Sequence, residues 1–184
     1  VTVLEATERV LERVTAPEVS AFFHRIHQEA GVSIRTGALV QALTGENRVE
    51  EVILAHGESI PADIVIVGIG VEPNTELAAA AGLVVDNGVV IDSHARTSDP
   101  HIVAAGDCTS HDYARYGRRI RLESVPSAGE QAKVAAATIS GKSKEIAALP
   151  WFWSDQYDLK LQIAGLNTGY DEVILSGDPS RDRD

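Results

Sequence analysis

The chain has 184 residues, room for one good-sized domain or pieces of two, and with 44% hydrophobic and 23% charged residues it reads as a globular protein with a real core. A formal net charge of −11 argues against nucleic acid, whose phosphates call for a basic face, and no apolar run approaches the ~20 residues of a membrane span. The single cysteine, Cys108, excludes a disulfide framework or a redox CxxC pair within the chain and fits a reducing cytosol.

In chain order, Val1 to Leu4 is an apolar, β-branched strand closed by Glu5. In a dinucleotide-binding βαβ unit, the acid ending the second strand accepts from the adenosine ribose hydroxyls and repels a 2′-phosphate. Glu5 occupies such a position. No G-x-G-x-x-G loop precedes it here, so a solvated strand-end glutamate reads equally well. Thr15-Ala16-Pro17-Glu18 predicts a helix start with Thr15 as cap, and Val19, Phe22, Phe23 and Ile26 recur at helical spacing before Gly31. His24 and His27 lie three apart but have no second ligand pair in view, so they read as solvated helix face and no metal site is expected.

Val32 to Arg35 predicts a short strand. Ala38 to Leu43 and Val49 to Ala55, with a turn at His56-Gly57, predict a small antiparallel meander. Ala62 to Gly70 predicts a buried apolar strand ending in Gly68 and Gly70, which either admit a cofactor or make a tight turn. A helix follows, capped by Asn74 or Thr75 and running from Leu77 to Ala81, then a turn at Asp86-Asn87-Gly88 and a strand to Asp92.

His101 to Ala105 predicts a buried strand closed by Gly106-Asp107, which delivers a carboxylate where open α/β sheets bind ligands. Asp107 is an acceptor suited to a sugar or ribitol hydroxyl; an ordinary capped turn is the alternative. Thr109 to Arg121 reads as a surface excursion whose Arg115, Arg118, Arg119 and Arg121 form a basic patch for an acidic partner. Glu123-Ser124-Val125-Pro126 leads into an alanine-rich helix ending at Gly141, and its amino end is a natural place for backbone N–H groups to meet a polar ring or phosphate. Past Pro150, Trp151-Phe152-Trp153 opens an aromatic segment, for which core packing is favoured over a stacking surface. Asp158 to Ala164 alternates as a half-buried strand, and Tyr170 to Leu175 is its predicted return. The lack of methionine and the strand patterns close to both ends lead to the expectation of a piece of a larger protein.

Four blocks then carry a resemblance: Ile69 to Leu77; Thr97 to Pro100 with Val103 to Cys108; Glu123 to Pro126 with Glu130-Gln131-Ala132; and Pro150 to Tyr157. In this order they are similar to FAD-dependent, NADH-using ferredoxin reductases of the putidaredoxin reductase and rhodocoxin reductase group, over essentially the whole chain. The resemblance implies an α/β fold: parts of two Rossmann-like nucleotide-binding domains of the glutathione-reductase type, plus the first strands of an α+β C-terminal domain. The expected division is residues 1–74 for the later part of the NAD domain, 75–149 for the second FAD segment and 150–184 for the start of the C-terminal interface domain.

The implied function is a fragment of an oxidoreductase passing electrons from NADH through FAD to a [2Fe–2S] ferredoxin that serves an oxygenase. Alternatives are a rubredoxin or nitrite reductase component, or a non-catalytic interaction module on the same scaffold. By the same resemblance Asp107 contacts the FAD ribitol and pyrophosphate region, and Val125 and Pro126 face the isoalloxazine ring. Trp153 lies beside the flavin, Glu5 binds the NADH ribose, and Gly70 and Glu123 line the nicotinamide side; none is a catalytic residue. Ser127 and Gly129 depart from the Asn and Leu common in the group, and Cys108 is expected to pack. The phosphate-cradling glycine loops lie outside this chain, so taken alone it is expected to bind neither FAD nor NADH tightly and to self-associate. A cytoplasmic protein with no nucleic acid or membrane partner is expected.

Overall fold

The computed structural model describes residues 1–181, which fall into two compact units. One comprises Val1–Ile69 with the segment from Asn167 onward, the other Gly70–Leu166.

In the first unit β1 (Thr2–Leu4) pairs in parallel with β2 (Ser33–Arg35), and α1 (Pro17–Glu29) makes the crossover that parallel pairing requires. The N-cap of α1 is Ala16, which has no side chain to offer, rather than the expected Thr15. Thr15 is buried and its hydroxyl is used elsewhere, donating to the Leu11 carbonyl and sharing a 3.0 Å bond with Ser20 Oγ. Phe23 and Ile26 are the buried stripe of the helix. The meander forms as read, in the order β3 (Val40–Thr44), β4 (Glu51–Leu54), β5 (Ser59–Pro61), over a cluster of Ala38, Val52 and Leu54.

The predicted buried strand Ala62 to Gly70 is corrected by the structure. Ala62 and Val65 pack on the meander cluster, but Ile64, Ile66 and Ile69 are 82%, 92% and 92% exposed and the segment enters no sheet. Its composition is that of a central strand, yet no strand among the described residues bonds to it, so its alternate side chains have nothing to cover them. Tyr170 to Leu175 fails as a strand for the same reason, with Ile174 83% exposed.

The second unit holds α2 (Glu76–Ala80), with Thr75 at the N-cap position but making no side-chain capping bond, and a three-stranded sheet in the order β6 (Val89–Ile91), β7 (Thr109–Tyr113), β8 (Arg118–Ile120). β6 and β7 are parallel, β7 and β8 antiparallel. The central strand is therefore the stretch expected to be a surface excursion. Thr109, Ser110, His111 and Tyr113 are buried, and their hydroxyls are satisfied inside: Ser110 Oγ donates to the Asp86 carbonyl at 2.7 Å, and Thr109 Oγ1 shares its one proton between the Gly106 carbonyl at 2.8 Å and Gln131 Oε1 at 2.7 Å. Gly88 makes the approach of β6 possible, since at φ +124° a Cβ there would sit 2.8 Å from the Cys108 carbonyl oxygen.

His101 to Ala105 is also corrected. It contributes one bridge, Arg96 to Val103, and its half-buried Val103, Ala104 and Ala105 pack on Ile91, Ala95, Val134 and Ala135. Asp107 thus precedes a strand instead of ending one. α3 (Val125–Ile139) supplies Val134, wholly buried, to that cluster, a contribution of about 1.5–3 kcal/mol. β9 (Trp151–Gln156) and β10 (Leu159–Ala164) close the unit as an antiparallel hairpin.

Candidate cofactor site

Gly106 sits at φ +96°, a conformation open to glycine, and a Cβ there would lie 3.9 Å from the Ala128 Cβ in the first turns of α3. Its N–H donates to Gln131 Oε1 at 2.6 Å, and the same oxygen accepts from Thr109 Oγ1 at 2.7 Å. Gln131, 1% exposed, is the pin that seats the Gly106-Asp107 turn on α3, leaving the Asp107 side chain exposed. Arg121 ties the other side. Its Nη1 donates to the Asp107 carbonyl at 3.2 Å, its Nε to Asn87 Oδ1 at 3.2 Å, and its Nη2 meets Glu123 Oε1 at 2.7 Å.

At the amino end of α3, the Ser124 hydroxyl accepts from the Ser127 N–H at 3.4 Å. Val125, the first helical residue, is 73% exposed, and its N–H is one of those a helix leaves without an internal partner. Pro126, Ser127 and Glu130 wall a cavity of about 30 Å³ with His111, Tyr113 and Trp151. The cavity is large enough for a water molecule. Neither ring nitrogen of buried His111 has a hydrogen-bond partner among the described residues, and burial pushes its pKa below the ordinary value against the pull of Asp112 and then Glu130. On β9, Trp151 and Trp153 lie with ring centroids 5.3 Å apart and stay 38% and 41% exposed. They are an open aromatic pair rather than the core packing expected.

The structure therefore gathers Asp107, Glu123, Val125 and Pro126 around Arg121, Gly106 and Gln131, and links Trp153 to this region through Trp151. Gly70, exposed at φ +101°, is the first residue of the same unit. Glu5 belongs to the other unit, where its Oε1 accepts from the Thr7 N–H at 2.8 Å and hydroxyl at 2.9 Å. Sequence reading missed Gln131 and misplaced Arg121. Signals existed for both: Gln131 shares a helix face with Val134 and Ala135, and Arg121 and Glu123 are two apart in extended chain, hence on one side. The expected basic patch is in part spent internally, since Arg119 bonds to Asp86 at 3.0 Å and Asp112 at 3.2 Å. Cys108 is half-buried with Sγ 3.7 Å from the Ala105 carbonyl.

Residues 1–132 match the family model described as pyridine nucleotide-disulphide oxidoreductase, and residues 151–184 the one described as reductase C-terminal. The chain belongs to the pyridine nucleotide-disulphide oxidoreductase family. It is 53% identical over 180 residues to putidaredoxin reductase of Pseudomonas putida, covering 96% of this chain and 43% of that protein. To a ferredoxin–NAD(P)(+) reductase of Sphingomonas sp it is 45% identical over 183 residues, 98% of this chain and 44% of that one. The crystal structure of the covalent putidaredoxin reductase–putidaredoxin complex matches with a TM-score of 0.92 at 51% identity, covering 98% of this chain and 44% of that chain. The chain thus spans under half the length of these relatives, and the two nucleotide-binding folds expected from its four sequence blocks are those of the family.

Proposed function

We propose that this chain is part of an FAD-dependent NADH:ferredoxin oxidoreductase that passes electrons to a [2Fe–2S] ferredoxin serving an oxygenase. The observation that carries the reading is the 53% identity to putidaredoxin reductase across 96% of the chain, the aromatic segment included. Residues 1–74 are assigned to the NAD domain, 75–149 to the FAD domain and 150–184 to the C-terminal domain. A cytoplasmic location accords with one cysteine and no disulfide.

The residues present suit a flavin in their donor set: an exposed carboxylate next to a glycine without Cβ, an exposed helix amino end and an exposed aromatic pair. Asp107 would accept from ribitol hydroxyls, and Gln131 and Arg121 hold its backbone in place for that role. The N–H groups at the head of α3 would donate to the pyrimidine edge of the ring, with Val125 and Pro126 against it and Trp153 shielding it from water. Glu5 and Gly70 would serve NADH, and Glu123, held by Arg121, would line the nicotinamide side. Bound flavin supplies the chemistry that takes up a hydride and releases electrons singly.

The test uses the parent protein that contains this chain. A yellow, flavin-containing protein that reduces a [2Fe–2S] ferredoxin with NADH is expected, and Asp107→Ala should lower its flavin content. A colourless parent, or a flavoprotein inert toward ferredoxin, overturns the reading. Calorimetric titration of the 184-residue chain with FAD should show no tight binding, because no G-x-G-x-x-G loop is in it.

A further inference from the structure

Between α3 and β9 the backbone runs through Ile146 to Pro150 without joining any sheet. Several of its polar groups are nonetheless taken up. The Ile146 N–H donates to the Ser93 carbonyl at 2.8 Å, and the Pro150 carbonyl accepts from the Gly165 N–H at 2.8 Å, which anchors the two ends. Between them the work is done by side chains. Glu130 Oε1 accepts from the Ala147 N–H at 3.2 Å and the Ala148 N–H at 2.9 Å, and the Tyr113 hydroxyl donates to the Ala148 carbonyl. Glu130 stands four residues after Pro126 on the same helix face, and that face walls the cavity that Trp151 closes.

We propose that Glu130 and Tyr113 are positioning residues, a two-pronged clamp on the Ala147–Ala148 backbone that sets where β9 begins and so where Trp151 and Trp153 stand. The carboxylate takes two amide protons at once, and charge-assisted bonds of this kind are the stronger ones. The phenol fixes the carbonyl side of the same peptide segment, so the segment can neither rotate nor slide without breaking both. α3 thereby carries two features: its first turn, read above as flavin-facing, and, one turn later, the grip on the aromatic strand. The consequence for a flavin rests on that reading; the clamp itself does not.

The closing experiment therefore needs no flavin. Amide exchange and tryptophan emission are recorded on the 184-residue chain and on Glu130→Ala, Glu130→Gln and Tyr113→Phe. In Glu130→Ala the Ala147 and Ala148 amides should exchange about tenfold faster or more, with those of Val134 and Ala135 unchanged. The tryptophan emission, which in this chain reports on Trp151 and Trp153 alone, should shift to the red. Glu130→Gln keeps an oxygen acceptor of the same reach and should restore most of the protection and the emission, which a loss of general stability would not do. Tyr113→Phe, which deletes only the hydroxyl, should move the emission in the same direction by less. Unchanged exchange at Ala147 and Ala148 in Glu130→Ala overturns the clamp, as does an equal loss of protection at Val134 and Ala135. Should Glu130→Ala not fold, unaltered emission in Tyr113→Phe overturns it. A flavin-free parent would sink the proposed function while leaving these outcomes untouched.

Discussion

Ile64 to Ile69 and Thr109 to Tyr113 make opposite pairings of sequence and environment. The first is nearly all branched apolar residues and, apart from half-buried Val65, lies exposed; the second reads Thr-Ser-His-Asp-Tyr and is the central strand of its sheet, with all but Asp112 buried. Burial in this molecule follows the availability of partners more closely than it follows hydropathy. β7 has β6 on one edge, β8 on the other and α3 against its unit's core, and internal acceptors meet its hydroxyl groups. The apolar segment has the side chains of a central strand, and among the described residues no strand bonds to it.

The largest expected effect tests whether exposure really separates these regions. Leu54→Ala, at a wholly buried position beneath the meander, should cost about 2–5 kcal/mol in urea unfolding. Ile66→Ala in the same unit should stay within about 0.5 kcal/mol. Similar losses at both positions would mean that Ile66 is covered in solution, by another copy of the chain for instance. Sedimentation at rising concentration, with Ile66→Lys expected to reduce any association, would sharpen that point.

Next in size is the polar interior. Gln131→Leu would strand the Gly106 N–H, at about 1–3 kcal/mol for a group left without an acceptor, while the Thr109 hydroxyl keeps the Gly106 carbonyl. A neutral result would show that β7 does not depend on its internal bonds.

His111 gives a smaller, pH-dependent effect. Its folded-state pKa lies below the ordinary value of 6.5 because burial disfavours the imidazolium. Above pH 6.5 both folded and unfolded chains hold it neutral and its contribution is fully present. As pH falls below that value the unfolded chain takes up the proton first, and stability declines until the folded-state pKa is passed. Urea midpoints followed downward from neutral pH should fall less steeply in His111→Leu than in the parent; parallel slopes would remove His111 from the account.

The smallest effect is expected on the exposed surface of the first unit. Glu58 is held at a pKa of about 2, chiefly by its hydrogen bonds from Arg35 and then from His56. Its stabilisation is present above the ordinary carboxylate value of 4.5 and is lost as pH falls through about 2. Because the pair is open to solvent, added salt should weaken it, and Glu58→Gln should change stability little. An NMR titration of the Glu58 side chain checks the pKa directly.

Local pattern alone was enough for the elements whose signal lies within a few residues. The Phe23 and Ile26 stripe of α1, the meander, the turn at Asp86-Asn87-Gly88, the strand of alternating Leu159 to Ala164 though not its partner β9, and the family itself, carried by four spaced blocks, all stood in the sequence. The candidate site was partly legible: Asp107 and the head of α3 were singled out, while Gln131 and Arg121, whose bonds hold the Gly106-Asp107 turn, were not.

Tertiary structure alone decided which strand is central, whether an apolar run is covered, and which side chains spend themselves on the backbone of a distant segment. Those outcomes depend on contacts between residues far apart in sequence: Gln131 with Gly106, Glu130 with Ala147 and Ala148, Ser110 with Asp86. A buried threonine or serine is affordable once an acceptor lies within reach, and an isoleucine stays in solvent when no neighbouring strand arrives. Neither condition is written in the local sequence, because each is a property of what the fold brings alongside.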